Sequence, residues 1–351
     1  MRNNVVSAFS LFTLIPMFLF AMIFPVARLS FITIEHVAGT PASFSNHSFS
    51  DAPSNDSHPV GEYIEGAYQS DRLPLDTLPA ISHSSEELPD DAKKILTANL
   101  SQNGNLIIND TTHSVDTENV VSAFAPLEAA VDGPVVLVLH THATESFLAD
   151  SESYKILNDD GSQSLYYSPE TASTRSTDCS ENVVHLGEIF ADTLIKNGID
   201  TIHCKTLHDY PDYNKSYSNS YKSVKEYLLK YPSIKYVIDL HRDSIVKENG
   251  DKLKPLCRID NKDTAQIMLV MGSGTKHPDW QKNLSLALKF KTECDSKYPE
   301  FSRPVYLRTA SFNQELSPGM LLLEVGSCAN TLEEAENAAY HAAEIFAEII
   351  K

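Results

Sequence analysis

VVLVLHTHATE, residues 135–145, is the stretch on which the fold turns. It opens as a continuous β-branched and aliphatic run with no polar alternation, the pattern of a strand buried on both faces. Gly133-Pro134 ahead of it is a turn signal that sets its start. A strand buried on both faces needs helices above and below it, and the chain downstream provides them. NVVHLGEIFADTLIKNG (182–198) places Val183, Leu186, Ile189, Phe190, Thr193 and Leu194 on one helical face and closes at Gly198, a good helix-terminating residue. IDTIHC (199–204) reads as strand, SNSYKSVKEYLLKYP (218–232) as helix stopped by Pro232, and KYVIDLH (235–241) as strand again. AQIMLVMG (265–272), a helix around Asn283 to Cys294, GMLLLEVG (319–326) and a terminal helix complete the alternation. The terminal helix is announced by a capping box, Thr331 with Glu334 three residues on. Strands alternating with helices at these lengths predict an α/β domain over 131–351, with a mainly parallel sheet and helices on both faces.

The chemistry sits at strand ends. VLVLHTHATE (136–145), VIDLHRD (237–243) and LLLEV (321–325) each exchange an aliphatic run for imidazole or carboxylate. In parallel α/β sheets the carboxyl ends of strands share one edge and ligands bind in the crevice there, so the three segments can converge. His142 and Glu145 form an HxxE pair, and His241 offers a third donor. Two imidazoles and a carboxylate are a donor set that zinc accepts, with a fourth position left to water in catalytic sites. Glu324 lies among aliphatic neighbours, where a carboxylate is costly to bury without a partner or a task. It is read as a general base toward zinc-activated water, or else as half of a buried ion pair.

His140 leaves an alternative open. Residues 140 and 142 share a strand face, so His140, His142 and His241 form a rival HxH scheme of the amidohydrolase type. That scheme goes with a larger barrel and leaves Glu145 without a role, so His140 is placed behind the metal or facing substrate. Asp239 can orient a ligand imidazole, and Arg242 can stabilise a developing oxyanion or bind a substrate carboxylate; each can equally be a plain ion pair. His185, His203, His208, His277 and His341 show no metal spacing and read as surface or core residues.

The rest of the 351-residue chain limits what this domain can act on. A net charge of −19 excludes nucleic acid as the main partner, because phosphate binding requires clustered Lys and Arg. The five cysteines, Cys179, Cys204, Cys257, Cys294 and Cys328, contain no CxxC pair, which argues against a thiolate zinc knuckle. Residues 5–28 hold an uncharged apolar run up to Ala27, of the length a bilayer core requires, and are read as a retained transmembrane anchor in preference to a cleaved signal peptide. Residues 29–130 have Arg72, Lys93 and Lys94 as their only Lys or Arg against fifteen Asp and Glu, and read as an acidic, flexible linker. Short apolar patches in it, such as Asn105 to Ile108, can form a local strand or dock on the domain. The anchor and the substrate reading below place the catalytic domain outside the cytoplasm.

HTHATESF (140–147), IDLHRDS (238–244) and FNQELSPGMLLLEVGSCANTLEEAENAA (312–339) resemble the stage II sporulation protein P (SpoIIP) family, and the resemblance runs from about Pro134 to the C-terminus. It implies a fold like that of zinc amidases and zinc peptidases, and a membrane-anchored amidase and endopeptidase acting on peptidoglycan during forespore engulfment. A SpoIID-type lytic transglycosylase and a SpoIIM-type membrane protein are the partners it implies. Carried over by motif, it puts weight on His142, Glu145, His241 and Glu324, and it puts Phe312, Asn313 and Gln314 beside the groove for the stem peptide. Ser327-Cys328 stands where a glycine-rich turn is expected. Two other readings compete with the amidase. A metallocarboxypeptidase-like exopeptidase would need Arg242 or Arg308 for a terminal carboxylate, and a non-catalytic wall-binding scaffold would have no use for Glu324.

Overall fold

The computed structural model describes residues 88–351 except 103 and 130. The expected anchor at 5–28 and the linker up to residue 87 lie outside the described residues, among which no helix is long and apolar enough to cross a membrane. In chain order the elements are β1 (Lys93–Ala98), β2 (Ile107–Asn109), α1 (Thr117–Ser122), β3 (Val136–Leu139), β4 (Ser153–Leu157), β5 (Gln163–Tyr167), α2 (Val183–Lys196) and β6 (Thr201–His203). They continue with α3 (Ser216–Lys230), β7 (Tyr236–Asp243), β8 (Lys252–Ile259), β9 (Lys262–Ala265), β10 (Ile267–Gly272), α4 (Trp280–Lys297), β11 (Val305–Arg308), β12 (Gly319–Ser327) and α5 (Leu332–Ile350).

Seven strands form the main sheet in the order β2-β11-β10-β12-β7-β3-β6. Its ladders are parallel except β10–β12, where Ile267 faces Val325 and Val270 faces Leu322 in antiparallel register. A second, five-stranded sheet, β4-β5-β1-β8-β9, has only its β1–β8 ladder parallel. The expectation of a mainly parallel architecture is therefore corrected: the sheets are mixed. The cause lies between β7 and β10. A parallel neighbour requires a crossover to return the chain to its starting edge, and here no helix intervenes. The chain leaves β7, makes the β8–β9 hairpin over Asp260-Asn261, both left-handed, and enters β10 at the edge where β7 ended. It must then run backwards.

Alternate residues of the central strands serve different faces. Val136, Val138, Ile238, Leu240, Leu321, Leu323 and Val325 join one core with residues of α2, α4 and α5. Leu137, Leu139, Val237 and Met320 pack on the other side with Val224 of α3. Helices thus cover both faces, as the doubly buried strands require. Phe346 of α5 keys the larger core, its ring 6.1 Å from Phe190, 5.7 Å from Tyr236 and 5.6 Å from Phe290. Each such aromatic pair contributes ~0.5–1.5 kcal/mol beyond area burial. The Thr331–Glu334 capping box is formed at the start of α5.

The composition of 29–130 hides structure in its last third. β1 lies inside the second sheet between β5 and β8, β2 forms an edge of the main sheet by pairing in parallel with β11, and the Leu127 amide donates to the Tyr236 hydroxyl at 2.6 Å. The described part of the segment read as linker is therefore folded onto the domain, including the Ile107-Ile108 patch. All five cysteines are free, with Cys179 exposed and the others buried.

Candidate functional site

β3, β7 and β12 run parallel, so their carboxyl ends share an edge, and on that edge Glu324 stands directly opposite His241 in the β12–β7 register. β12 is interrupted there by an irregularity between Glu324 and Ser327. Gly326 adopts φ +67, and a Cβ on it would stand 2.9 Å from Asn330 Oδ1. A bulge of this kind re-aims a side chain at a strand end. One glycine suffices for the turn, which explains how Ser327-Cys328 can follow it.

His241 is buried between two carboxylates: Nδ1 lies 3.4 Å from Glu145 Oε2 and Nε2 lies 3.0 Å from Asp239 Oδ1. The second contact is poorly directed, and Nε2 has no hydrogen-bond partner. Burial opposes charging of His241, but Asp239 and Glu145 outweigh it and raise its pKa well above the usual imidazole value. Asp239 is itself held by the Thr141 amide at 2.7 Å and hydroxyl at 2.6 Å. Glu145 also accepts from the Arg242 amide at 3.2 Å. Its burial is overcome by the Arg242 charge and by His241, which hold its carboxyl well below the ordinary range.

His142 stacks on Tyr213, centroids 4.6 Å apart, and meets Tyr217 and His241 edge-on at 5.5 and 5.3 Å. Burial lowers its pKa to about 4, so the ring is neutral, and its Nδ1 is buried with no hydrogen-bond partner. Glu324 shows the same want of a partner. Its Oε2 is covered and unpaired, and burial, then the Asp243 charge, push its pKa up to about 8. Asp243 is fixed by Arg303 at 2.7 Å.

These residues suit a zinc ion chemically. The 3.4 Å between Glu145 Oε2 and His241 Nδ1 is close to the separation of two ligands on a tetrahedral ion with bonds of ~2.0–2.1 Å. His142 adds a neutral imidazole with a lone nitrogen, and unpaired buried polar atoms require an explanation that a metal would supply. Among the described residues no group of three or more His, Cys, Asp and Glu side chains yet closes on one point. The fit rests on donor type, on the neutral His142 ring and on spacing, and His241 would give up its proton on binding the ion.

Other residues singled out from sequence stand elsewhere. His140 points away from this cluster, its Nδ1 2.8 Å from the Leu240 carbonyl and its Nε2 2.9 Å from His203 Nε2 beneath α2. It braces the strand that carries His241. A Cβ at Gly187 of α2 would lie 2.4 Å from His140 Nε2 and 2.6 Å from His203 Nε2. Gly187→Ala is therefore expected to cost ~1–3 kcal/mol through overpacking, read as a lower denaturant midpoint at unchanged slope. An unchanged midpoint would show that the two rings are free to shift. Arg242 spends its guanidinium on the carbonyls of Ser146, Thr174 and Asp243 at 2.9, 2.7 and 3.4 Å, so it clamps the 145–175 loop behind Glu145. Gln314 is fully buried, accepting from the Gly272 amide and donating to the Val270 carbonyl. Asn313 donates to the Tyr217 carbonyl at 2.9 Å and to Ser220 Oγ at 3.1 Å.

Sequence reasoning missed the rim. Arg175 bonds Asp209 and Thr144 at 3.0 Å and lies over the Tyr213 ring at 4.7 Å. Tyr213 and Tyr217 come from the start of α3 and the turn before it. The aromatic density of DYPDYNKSYSNSY (209–221) was the available signal. Burial and the carboxylates of Asp239, Glu324 and Glu145 raise the Tyr217 phenol well above its ordinary value, so it remains an O–H donor.

Residues 60–347 match the family model described as Stage II sporulation protein P (SpoIIP). A Bacillus subtilis (strain 168) protein of that name is 29% identical over 235 residues, which are 64% of this chain and 53% of that protein. The chain thus spans about half the length of the curated relative it matches. Among solved structures, the CwlD amidase from Clostridioides difficile, in complex with the GerS lipoprotein, overlaps 61% of this chain and 96% of its own at 15% identity and a TM-score of 0.35. An N-acetylmuramoyl-L-alanine amidase from Clostridium difficile 630 overlaps 62% and 96% at 14% identity and a TM-score of 0.36.

Proposed function

The chain belongs to the stage II sporulation protein P family, and from that premise we propose that it is a zinc-dependent N-acetylmuramoyl-L-alanine amidase, with endopeptidase activity, that degrades peptidoglycan during sporulation. The observation that carries the reading is the half-buried Glu324, whose covered Oε2 has no partner, in register with His241 and on the sheet edge that carries His142 and Glu145. His142, Glu145 and His241 would hold the zinc. Bound there, zinc supplies a Lewis acid that polarises the scissile carbonyl and acidifies the attacking water.

The chain's own groups do the rest. In its ionised form Glu324 is a stronger base than an ordinary carboxylate, so it can then take the proton of the attacking water and keep it until the amine departs. The C–N bond then breaks with the proton passing to nitrogen, leaving a carboxylic acid on the muramoyl lactyl group and a free amine on the peptide. Asp239 keeps His241 in place, and Thr141 keeps Asp239. His140 and Arg242 hold the backbone on either side.

A carboxypeptidase would need a free guanidinium near Glu324. Arg242 is committed to carbonyls, and Arg308 ends β11, which runs with β10 and so finishes at the opposite edge. Membrane anchoring through residues 5–28, an extracytoplasmic catalytic domain, and SpoIID-type and SpoIIM-type partners belong to the same proposal and rest on the sequence and the family.

Purified full-length protein is expected to release stem peptides bearing an N-terminal alanine from purified peptidoglycan, to stop in excess chelator and to resume when zinc is returned. A fragment starting at residue 131 would lack β1 and β2 and is the wrong reagent. Shortened peptides as the sole products would replace the amidase with an endopeptidase. Full activity after exhaustive chelation would remove zinc from the account, and no release at all would favour the scaffold.

A further inference from the structure

We propose that Tyr217 is the hydrogen-bond donor that receives the developing oxyanion when the scissile carbonyl is attacked. The inference rests on the amidase reading and adds to it a residue that the motifs do not contain.

When the water oxygen adds to the carbonyl carbon, the π electrons move onto the carbonyl oxygen, and a fixed donor aimed at that oxygen is worth more in a dry site than in water. Arg242 was one candidate donor in the sequence, but its guanidinium is bound to the carbonyls of Ser146, Thr174 and Asp243. Arg175 spends Nη1 on Thr144 and Asp209, and its Nη2 faces Glu145 at 3.8 Å. Tyr213 lies flat on His142 with its hydroxyl 3.5 Å from that ring's Nε2. Tyr217 is different. Its carbonyl accepts from Asn313 and Ser220, while its hydroxyl has no hydrogen-bond partner among the described residues.

The fold fixes this phenol with unusual care. Its ring meets His142 edge-on at 5.5 Å on one side and Phe312 at 6.2 Å on the other. Phe312 and Asn313 both adopt left-handed backbone, φ 53 and 59. Such conformations cost free energy in residues other than glycine and collect at functional sites. Here they set the Phe312 ring against Tyr217 and aim the Asn313 amide at its carbonyl. Ser220 Oγ then ties Asn313 to Thr141, and Thr141 to the carboxylate of Asp239 beside His241. One network thus positions both His241 and the turn that carries Tyr217. During the reaction the phenol keeps its proton: it donates a hydrogen bond as the oxygen gains charge, and the bond relaxes when the carbonyl re-forms and the C–N bond breaks.

The test uses full-length protein and a defined muropeptide, with Tyr217→Phe compared to wild type. Expected are kcat lower by ~100-fold with KM nearly unchanged, as for loss of one oxyanion donor. Zinc content and melting temperature should match the wild type. A phosphinate analogue of the muramoyl–alanine amide should bind the variant more weakly by about the same factor as kcat falls. A kcat within about threefold of wild type, or a fall in kcat with undiminished phosphinate affinity, overturns the proposal. Should the Phe variant fold poorly, 3,5-difluorotyrosine at 217 keeps the shape and alters donor strength, and an unaltered kcat and phosphinate affinity there would equally overturn it. A wild type that releases no stem peptides defeats the amidase reading and this inference together. A wild type that cuts normally beside an unaffected Tyr217→Phe defeats this inference alone.

Discussion

Glu324→Gln is expected to purify with full zinc content and to turn over at least ~100-fold more slowly than wild type, the lower end of what general acid–base catalysis contributes. Glutamine keeps the shape and the capacity to hydrogen-bond but cannot accept a proton from water. The substitution should not unfold the protein, because Oε2 of Glu324 has no partner to lose. It even relieves a penalty: burial and Asp243 push this carboxyl up to about 8, so its charged form is disfavoured in the folded state. A carboxyl whose folded pKa lies above its unfolded value destabilises the fold once pH exceeds the unfolded value, and the penalty grows until the folded pKa is passed. Unfolding in denaturant should therefore show the Gln variant equal to wild type below pH ~4 and more stable by pH 8. A variant that loses its zinc, or keeps its rate, would show that Glu324 is a ligand or a bystander.

How much of this site could be read from the chain depends on what fixes each residue. His142, Glu145, His241 and Glu324 lie at ends of buried strands, where a polar residue breaks a long aliphatic run. The break is visible in one dimension, and the shared edge follows from parallel pairing. Arg242 was equally visible, yet its partners are backbone carbonyls of Ser146 and Thr174, and carbonyls leave no trace in composition. Gln314 likewise bonds backbone groups, the Gly272 amide and the Val270 carbonyl. The direction of β10 was illegible because AQIMLVMG has the same pattern in either sense, and the deciding fact is the helix-free return through β8 and β9. The acidic average of 29–130 concealed β1, since Ile95 is its one deeply buried side chain and the ladder is held by backbone. Tyr213 and Tyr217 reach His142 from α3 and the turn before it, a tertiary contact that no spacing announces.

The two imidazoles proposed to hold the metal should fail in another way from Glu324, and the contrast identifies the ligands. His142→Ala and His241→Ala are each expected to purify with little zinc, to be inactive, and to gain no thermal stability from added zinc, because bound metal contributes folding free energy only where its ligands exist. The two need not be equal in the metal-free protein. His241 lies between Asp239 and Glu145, and removing it leaves two buried carboxylates without the positive charge between them, which costs ~3–5 kcal/mol when a buried pair loses one partner. His142 is neutral and stacked on Tyr213, so its loss removes packing and little charge. Chelated His241→Ala should therefore melt well below chelated wild type, and chelated His142→Ala only slightly below it. His140→Ala decides between the His2Glu and HxH schemes. Its ring bonds Leu240 and His203 beneath α2, so the variant should lose stability but still bind zinc. Elemental analysis beside melting curves separates these outcomes: zinc retained in His142→Ala, or absent from a folded His140→Ala, would move the metal to the other histidine.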